Sequence, residues 1–349
     1  MKLTPAIMLF ACASAAQGGI SQSTVTPPGG FAQAACYMSN SPGIISGQDL
    51  VAAGSPADSE EAGFSGNSSA SASAAATSGS VSNNASATMG LGFANLAAHN
   101  TCPNSTLFAA GMCNGGWKDT FTVNSPSLNG QSGYMVFQIR CRGTIDVTGF
   151  AGSAGLFTSG YKNNVELGTN AHFNRGPSDA ISTDRQRTQW ALSSFGSPDS
   201  RTFDGVVTMA VPVTFGQSFT LGVYASGRAG QRSSSGVGGL SSGTLSNGEV
   251  TWNGVSGVIT SAGAPVADAS VLSGSGVNWL VPWTPCGSAD FDGDGDVGTD
   301  ADIEAFFACL AGNCCATCFG GGADFNGDGD IGTDADIEAF FRVLAGGDC

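Results

Sequence analysis

The chain has 349 residues, of which 41% are hydrophobic and only 11% charged, with 53 glycines and a formal charge of −15. That hydrophobic share allows at least one sizeable core and excludes a disordered chain; so few charges among so many glycines favour strands joined by turns over long salt-bridged helices. The charge is uneven, −13 over residues 286–349 and −2 over the rest, so no basic surface speaks for nucleic acid or anionic lipid, and the acidic C-terminal region needs a cation.

Lys2, the apolar run Ile7-Met8-Leu9-Phe10-Ala11 and the small residues Ala13-Ser14-Ala15-Ala16 read as a secretory signal over residues 1–16 with an A-x-A cleavage pattern. A lipoprotein alternative would place a lipid on Cys12, behind a bulky Phe10 and a short run. No other stretch approaches the length of a membrane span. Of the 11 cysteines, ten remain after removal of the signal. An even set in an exported chain is expected to form disulfides within each domain: Cys36, Cys102, Cys113 and Cys141 in the first, Cys286, Cys309, Cys314, Cys315, Cys318 and Cys349 in the second. The connectivity stays open.

Residues 17–284 read as an all-β extracellular domain. The Ser-Ala alternation within 65–87 has the period of two of a strand pair built from small residues, which a free linker seldom shows. Further strands are expected over 119–123, 133–147, 206–213, 218–225 and 249–252, with Phe215-Gly216-Gln217 as a hairpin connection. Short antiparallel strands with Gly and Asn turns predict a mainly β fold, an antiparallel β-sandwich or jelly roll. The segments Gly116-Trp117-Lys118-Asp119-Thr120-Phe121, 213–221 and 273–279 resemble secreted bacterial β-sandwich proteins of the PEP-CTERM-associated kind. That resemblance implies a fold more than an activity, and attachment is expected through a device other than the Pro-Glu-Pro anchor with its apolar helix and basic tail.

Chemistry-bearing residues of this domain are weighed against plainer roles. His99 and His172 sit in no metal-ligand spacing and read as surface or hydrogen-bonded residues. Gly111-Met112-Cys113-Asn114-Gly115 looks like a nucleophile elbow, but no strand-to-helix pattern flanks it, and a disulfide accounts better for the cysteine. Asp119, Asp146, Glu166, Asp179, Asp184, Asp204 and Glu249 are available for the paired carboxylates of a glycosidase, without a located site. Trp117, Trp190, Trp252 and Trp279 can stack on sugars, though large aromatics in a sandwich are more often core. No catalytic residue is singled out.

Residues 285–349 carry an internal repeat. Residues 290–312 and 324–346 agree at 19 of 23 positions, differing at Asp292/Asn326, Val297/Ile331, Ala308/Arg342 and Cys309/Val343. Each copy opens as Asp-x-Asp/Asn-x-Asp-Gly, which places oxygens at positions 1, 3 and 5 of a loop that glycine turns sharply. Calcium takes six to eight hard oxygens, so the expected ligands of two calcium ions are Asp290, Asp292, Asp294 and the carbonyl of Asp296, then Asp324, Asn326, Asp328 and the carbonyl of Asp330. The usual last carboxylate, at position 12, falls on Ala301 and Ala335; Asp302 and Asp336 are expected to take that role, with Asp300 and Asp334 as alternatives. Val297 and Ile331 are expected to bridge the two loops. A helix follows each loop, with apolar Ile303, Phe306, Phe307, Leu310 and Ile337, Phe340, Phe341, Leu344 at helical spacing and Gly312 and Gly346 as caps.

No helix can precede the first loop, because Thr284-Pro285-Cys286-Gly287-Ser288-Ala289 stands there. Only the second half of an EF-hand is present. With the flanking cysteines and Asp324-Phe325-Asn326-Gly327-Asp328-Gly329, the segment resembles the Cys-containing GC-type dockerin-like modules of secreted bacterial proteins. The resemblance implies a small α-helical domain that binds calcium and a cohesin-like or other extracellular anchoring protein. A thrombospondin-like aspartate repeat is disfavoured by the helices. The expectation is a secreted, non-catalytic extracellular or cell-surface protein; the alternative is a dockerin-anchored polysaccharide-active enzyme or a carbohydrate-binding protein.

Overall fold

The structure is a computed structural model that describes residues 25–39, 44–46, 49–51, 57–66, 69–102, 108–149, 152–175, 187–191, 199–231, 241–283, 289–315, 318, 323, 325–326 and 331–345. The signal segment expected over 1–16, with Cys12, lies outside these residues, as do Asp179, Asp184, Cys286, Gly346 and Cys349. No helix among the described residues is long and apolar enough to cross a membrane.

The fold is mainly β. In chain order the elements are β1 (Gly29–Ser39), β2 (Ile44–Ser46), β3 (Asp49–Val51), β4 (Asp58–Ser65), β5 (Ser69–Ser78), β6 (Val81–Gly90), β7 (Phe93–Cys102), β8 (Phe108–Asn124), β9 (Ser132–Thr148), β10 (Gly152–Lys162), β11 (Val165–Arg175), β12 (Arg187–Ala191), β13 (Asp199–Thr214), β14 (Ser218–Gln231), β15 (Ser241–Thr260), β16 (Ser270–Ser273), α1 (Asp300–Leu310) and α2 (Asp334–Leu344). One sheet runs β12-β11-β10-β14-β8-β1-β4, the other β13-β9-β15-β7-β6-β5, and β2 with β3 forms a short ribbon. All pairings in the two sheets are antiparallel except β11 with β12. Beside β8, β1 pairs up to Lys118 and β16 takes over from Phe121.

Alternation builds the sandwich-like core. β5 buries Ala70, Ala72, Ala74 and Ala76 while its serines face out, and Ala85, Ala87, Ala94 and Ala98 repeat the pattern on β6 and β7. Methyls this small let the sheets approach until a Cβ on Gly111 of β8 would stand 2.5 Å from the Asn84 carbonyl oxygen of β6. Toward the other end of the core the filling is aromatic: Trp117, Phe121, Phe137, Phe215, Phe219, Trp252 and Trp279. Each such ring contributes about 1.5–3 kcal/mol by burial.

The expected strands are all present and longer than expected. The expected hairpin at Phe215-Gly216-Gln217 is not: β13 belongs to the second sheet and β14 to the first, so the turn is a crossover. Phe215 is buried, and backbone bonds from Phe215 N–H to the Gln131 carbonyl (3.0 Å) and from Gly130 N–H to the Phe215 carbonyl (2.9 Å) zip this crossover to the one joining β8 and β9.

Cysteine pairing in the β domain also differs from expectation. Cys36, Cys113 and Cys141 are buried thiols, and Cys102 is buried beside Val81 and Ala109. Cys36 donates to the Ala74 carbonyl and Cys113 to the Gly227 carbonyl, both at 3.4 Å. The thiols fill core volume as small hydrophobes.

Candidate metal centre

The acidic repeat folds into two loop-helix units around their own hydrophobic cluster. In the first loop, Asp294 N–H donates to Asp292 Oδ1 (3.1 Å) and Asp296 N–H to Asp294 Oδ1 (2.8 Å). Two successive side chains thus curl the backbone around themselves, as aspartates do in turns. Gly295 takes φ +96, a conformation that a side chain would strain. Gly298 N–H closes the loop onto the Ala289 carbonyl at 3.0 Å, and Gly332 N–H does the same to Ala323 in the second unit. The result brings one carboxylate oxygen each from Asp290, Asp292 and Asp294 within 4.8 Å of one another, at the protein surface.

Asp302, one of the expected ligands, has both carboxylate oxygens engaged in hydrogen bonds. It is fully buried at the third position of α1. Its Oδ1 accepts from the Phe291 N–H (2.6 Å) and the Asp292 N–H (3.3 Å), and its Oδ2 from the Thr299 N–H (2.8 Å) and hydroxyl (3.0 Å). The carboxylate therefore caps the helix and ties the start of the loop to it. Burial pushes its pKa up, but the bonds from Thr299, Asp292 and Phe291 outweigh burial and hold it below the ordinary aspartate range. Asp336 repeats the arrangement with Asn326 N–H (3.2 Å), Thr333 N–H (2.8 Å) and the Thr333 hydroxyl (2.9 Å). Asp300 and Asp334 open the two helices as exposed first-turn acids. Of the remaining expected ligands, Asp324, Asp328 and Asp330 lie outside the described residues.

The helices form where expected, and three of the four residues of each apolar stripe face inward: Ile303, Phe306 and Leu310 on α1, Ile337, Phe340 and Leu344 on α2. Phe306 and Phe340 are fully buried and stack at 4.1 Å. Phe291 and Phe325, at the second position of each loop, complete a square of rings. Phe291 meets Phe306 edge-on at 5.3 Å, and Phe325 meets Phe340 edge-on at 5.2 Å. Sequence reasoning passed over these two residues because loop grammar drew attention to the odd positions; the signal was a large apolar residue duplicated inside an otherwise polar loop. A Cβ on Gly298 would face Leu344, and one on Gly332 would face Leu310. Those reciprocal contacts make the two repeats partners across a pseudo-twofold axis.

Phe307 and Phe341 remain about two-fifths exposed with ring centroids 6.2 Å apart. Val297 and Ile331 do not bridge the loops: they are 70% and 74% exposed, and each loop is closed by its own glycine N–H instead. Gly312 takes φ +85 after α1, and its N–H donates to the Cys309 carbonyl at 2.9 Å, the expected cap. Disulfides join Cys309 to Cys314 and Cys315 to Cys318.

In the β domain the weighed residues have structural partners. Asp119, fully buried, accepts from the Thr120 N–H (2.7 Å), the Ser275 N–H (3.1 Å) and hydroxyl (2.5 Å), and the Trp279 indole N–H (2.9 Å), fastening the segment after β16 over the aromatic core. Asp204 is paired with Arg140 and Glu249 with Arg142, each at 2.6 Å on the outer face of the second sheet. Trp117, Trp252 and Trp279 are buried and packed against one another, so they offer no platform to a sugar; the side chain of Trp190 is outside the described residues. His99 shares hydrogen bonds with Thr244 (2.8 Å) and Thr101 (2.9 Å). The side chain of His172 is outside the described residues. Cys113 stands in mid-strand, and burial pushes its thiol up to about 12, which leaves it without nucleophilic character at neutral pH.

No protein-family model matches the chain, and no curated protein matches it. Among solved structures, a chain of the T13 IBDV viral particle aligns over 67% of this chain and 61% of its own, at 12% identity and a TM-score of 0.12, a likeness too slight to bear on the fold.

Proposed function

We propose that this is a secreted, non-catalytic extracellular protein whose C-terminal unit binds calcium and, in the manner of a dockerin, attaches the β domain to an anchoring protein. The observation that carries the reading is the convergence of Asp290, Asp292 and Asp294 oxygens within 4.8 Å. Oxygens bound to one calcium at about 2.3–2.6 Å lie no more than about 5 Å apart, a span within which the three carboxylate oxygens fall. Three hard carboxylate oxygens and no sulfur or imidazole favour calcium over zinc or copper. The ion would supply positive charge to a segment that carries −13. Duplication of the loop grammar supports a second ion on Asp324, Asn326 and Asp328. The exposed pair Phe307 and Phe341, one from each repeat, supports docking: adjacent apolar rings at the surface suit a protein partner better than water.

Hydrogen exchange of the full chain tests the calcium half. Amides of α1 and α2 should exchange more slowly as calcium rises, by the factor that ligand linkage requires, and should not respond to magnesium at the same concentration. Capture of extracellular proteins from the source organism on the immobilised chain tests attachment. A partner retained with calcium and released by chelator is expected; retention that ignores calcium would separate docking from the metal.

A further inference from the structure

The two sheets end side by side along one seam. β4 is the last strand of the first sheet and β5 the last of the second. β5 pairs with β6 on one side, with Ser73 opposite Ser86 and Ala75 opposite Asn84. On its other side no strand pairs with it among the described residues, so alternate amides of β5 point out of the sheet. Two of these, at the centre of the strand, are met by carboxylates. Ser73 donates its N–H to Glu60 Oε2 at 2.5 Å and its hydroxyl to the same oxygen at 3.2 Å; Ala75 donates its N–H to Asp58 Oδ2 at 2.7 Å. Asp58 and Glu60 share their face of β4 with Ala62 and Phe64, which pack against the core. These acids therefore lie on the core-side face of an edge strand, at its exposed end, and reach across the seam.

We propose that Asp58 and Glu60 guard the β5 edge against strand addition by a second copy of this chain. An uncovered edge is a template for pairing, and inward-pointing charges are one way in which sheets blunt it. The occupant that fits is another β5. Residues Ser69–Ser78 contain no charge, so nothing within the strand repels its twin. Antiparallel pairing of two Ser-Ala strands would continue the alanine face over the core and the serine face toward solvent, with no loss of register. The carboxylates oppose this twice: they occupy the central amides, and they hold two negative charges where the second strand would lie.

The test uses the full chain and gel filtration with light scattering. Asp58→Ala/Glu60→Ala is expected to at least double the mass of the wild-type particle in a concentration-dependent manner, whereas Asp58→Asn/Glu60→Gln, which keeps the acceptors, stays at the wild-type mass. Adding Ser73→Pro to the double alanine variant removes the central amide from an edge position that tolerates proline and should return the wild-type mass. A folded double alanine variant that keeps the wild-type mass at all concentrations overturns the proposal, as does association that survives Ser73→Pro. Should the double variant fail to fold, Glu60→Ala alone carries the test. It exposes the Ser73 amide and is expected to raise the particle mass above that of the wild type as concentration rises; faster exchange of that amide without any association would overturn the guard role.

Discussion

Replacing Asp302 by alanine should release the first loop from α1 whether or not calcium is present. The side chain is fully buried and accepts three backbone N–H groups and one hydroxyl, at 2.6 to 3.3 Å. Bonds to a charged acceptor contribute about 1.5–3 kcal/mol each, and stranded amides cost about as much. The loop can open to water on its outer side, so only the two shortest backbone bonds, from Phe291 and Thr299, contribute in full, giving about 3–6 kcal/mol for the unit. Hydrogen exchange of α1 and of the Phe291 and Thr299 amides reads this locally; a loss of about 3 kcal/mol speeds exchange by roughly 150-fold. The experiment is run in chelator as well. If Asp302 acted only as a metal ligand, the variant and the wild type would exchange alike once calcium was removed, and that result would refute the capping role. The pH dependence has a defined sign. Because the folded pKa lies below the ordinary aspartate value, the contribution is fully present above that value and is lost as pH falls beneath it. α1 should therefore keep its protection through mildly acidic pH and lose it only in stronger acid.

Other consequences follow from burial and pairing. Phe306→Ala should cost about 3–5 kcal/mol by opening the ring square, seen as loss of α1 and α2 protection, while Phe307→Ala should stay within about 1 kcal/mol and instead weaken partner capture. Asp119→Ala leaves the Trp279 indole and Ser275 without their acceptor and should lower β-domain stability by about 3–5 kcal/mol in urea unfolding followed by tryptophan fluorescence, with Asp119→Asn less affected. Iodoacetamide at mildly alkaline pH should leave Cys113 unlabelled in the folded chain and label it in denaturant, since its thiol is pushed up to about 12 by burial; labelling of the native chain would contradict the packing described.

What could be read in advance was whatever repeats locally. Period-two alternation placed β5 and β6, and helical spacing with duplicated loops placed α1 and α2. What could not be read was which partner an element would choose. Phe215-Gly216-Gln217 looks like any tight turn, and only the burial of Phe215 against a second crossover decides that β13 and β14 part company. That Asp302 accepts the Phe291 and Thr299 amides was not legible either, because it depends on how the helix it opens sets its oxygens against the loop. Cysteine parity suggested cross-links in the β domain, whereas Cys36, Cys113 and Cys141 are spent as small core residues. Val297 has the apolar character of a bridge, yet the glycine beside it closes the loop first.

Calorimetric titration of calcium into metal-free chain tests the central claim most directly. Two ions per wild-type chain are predicted, and one in Asp290→Asn/Asp292→Asn/Asp294→Asn, whose side chains keep their shape but lose their charge. Absence of calcium heat in the wild type, or equal stoichiometry in the triple variant, would contradict the assignment of these three carboxylates as a metal centre.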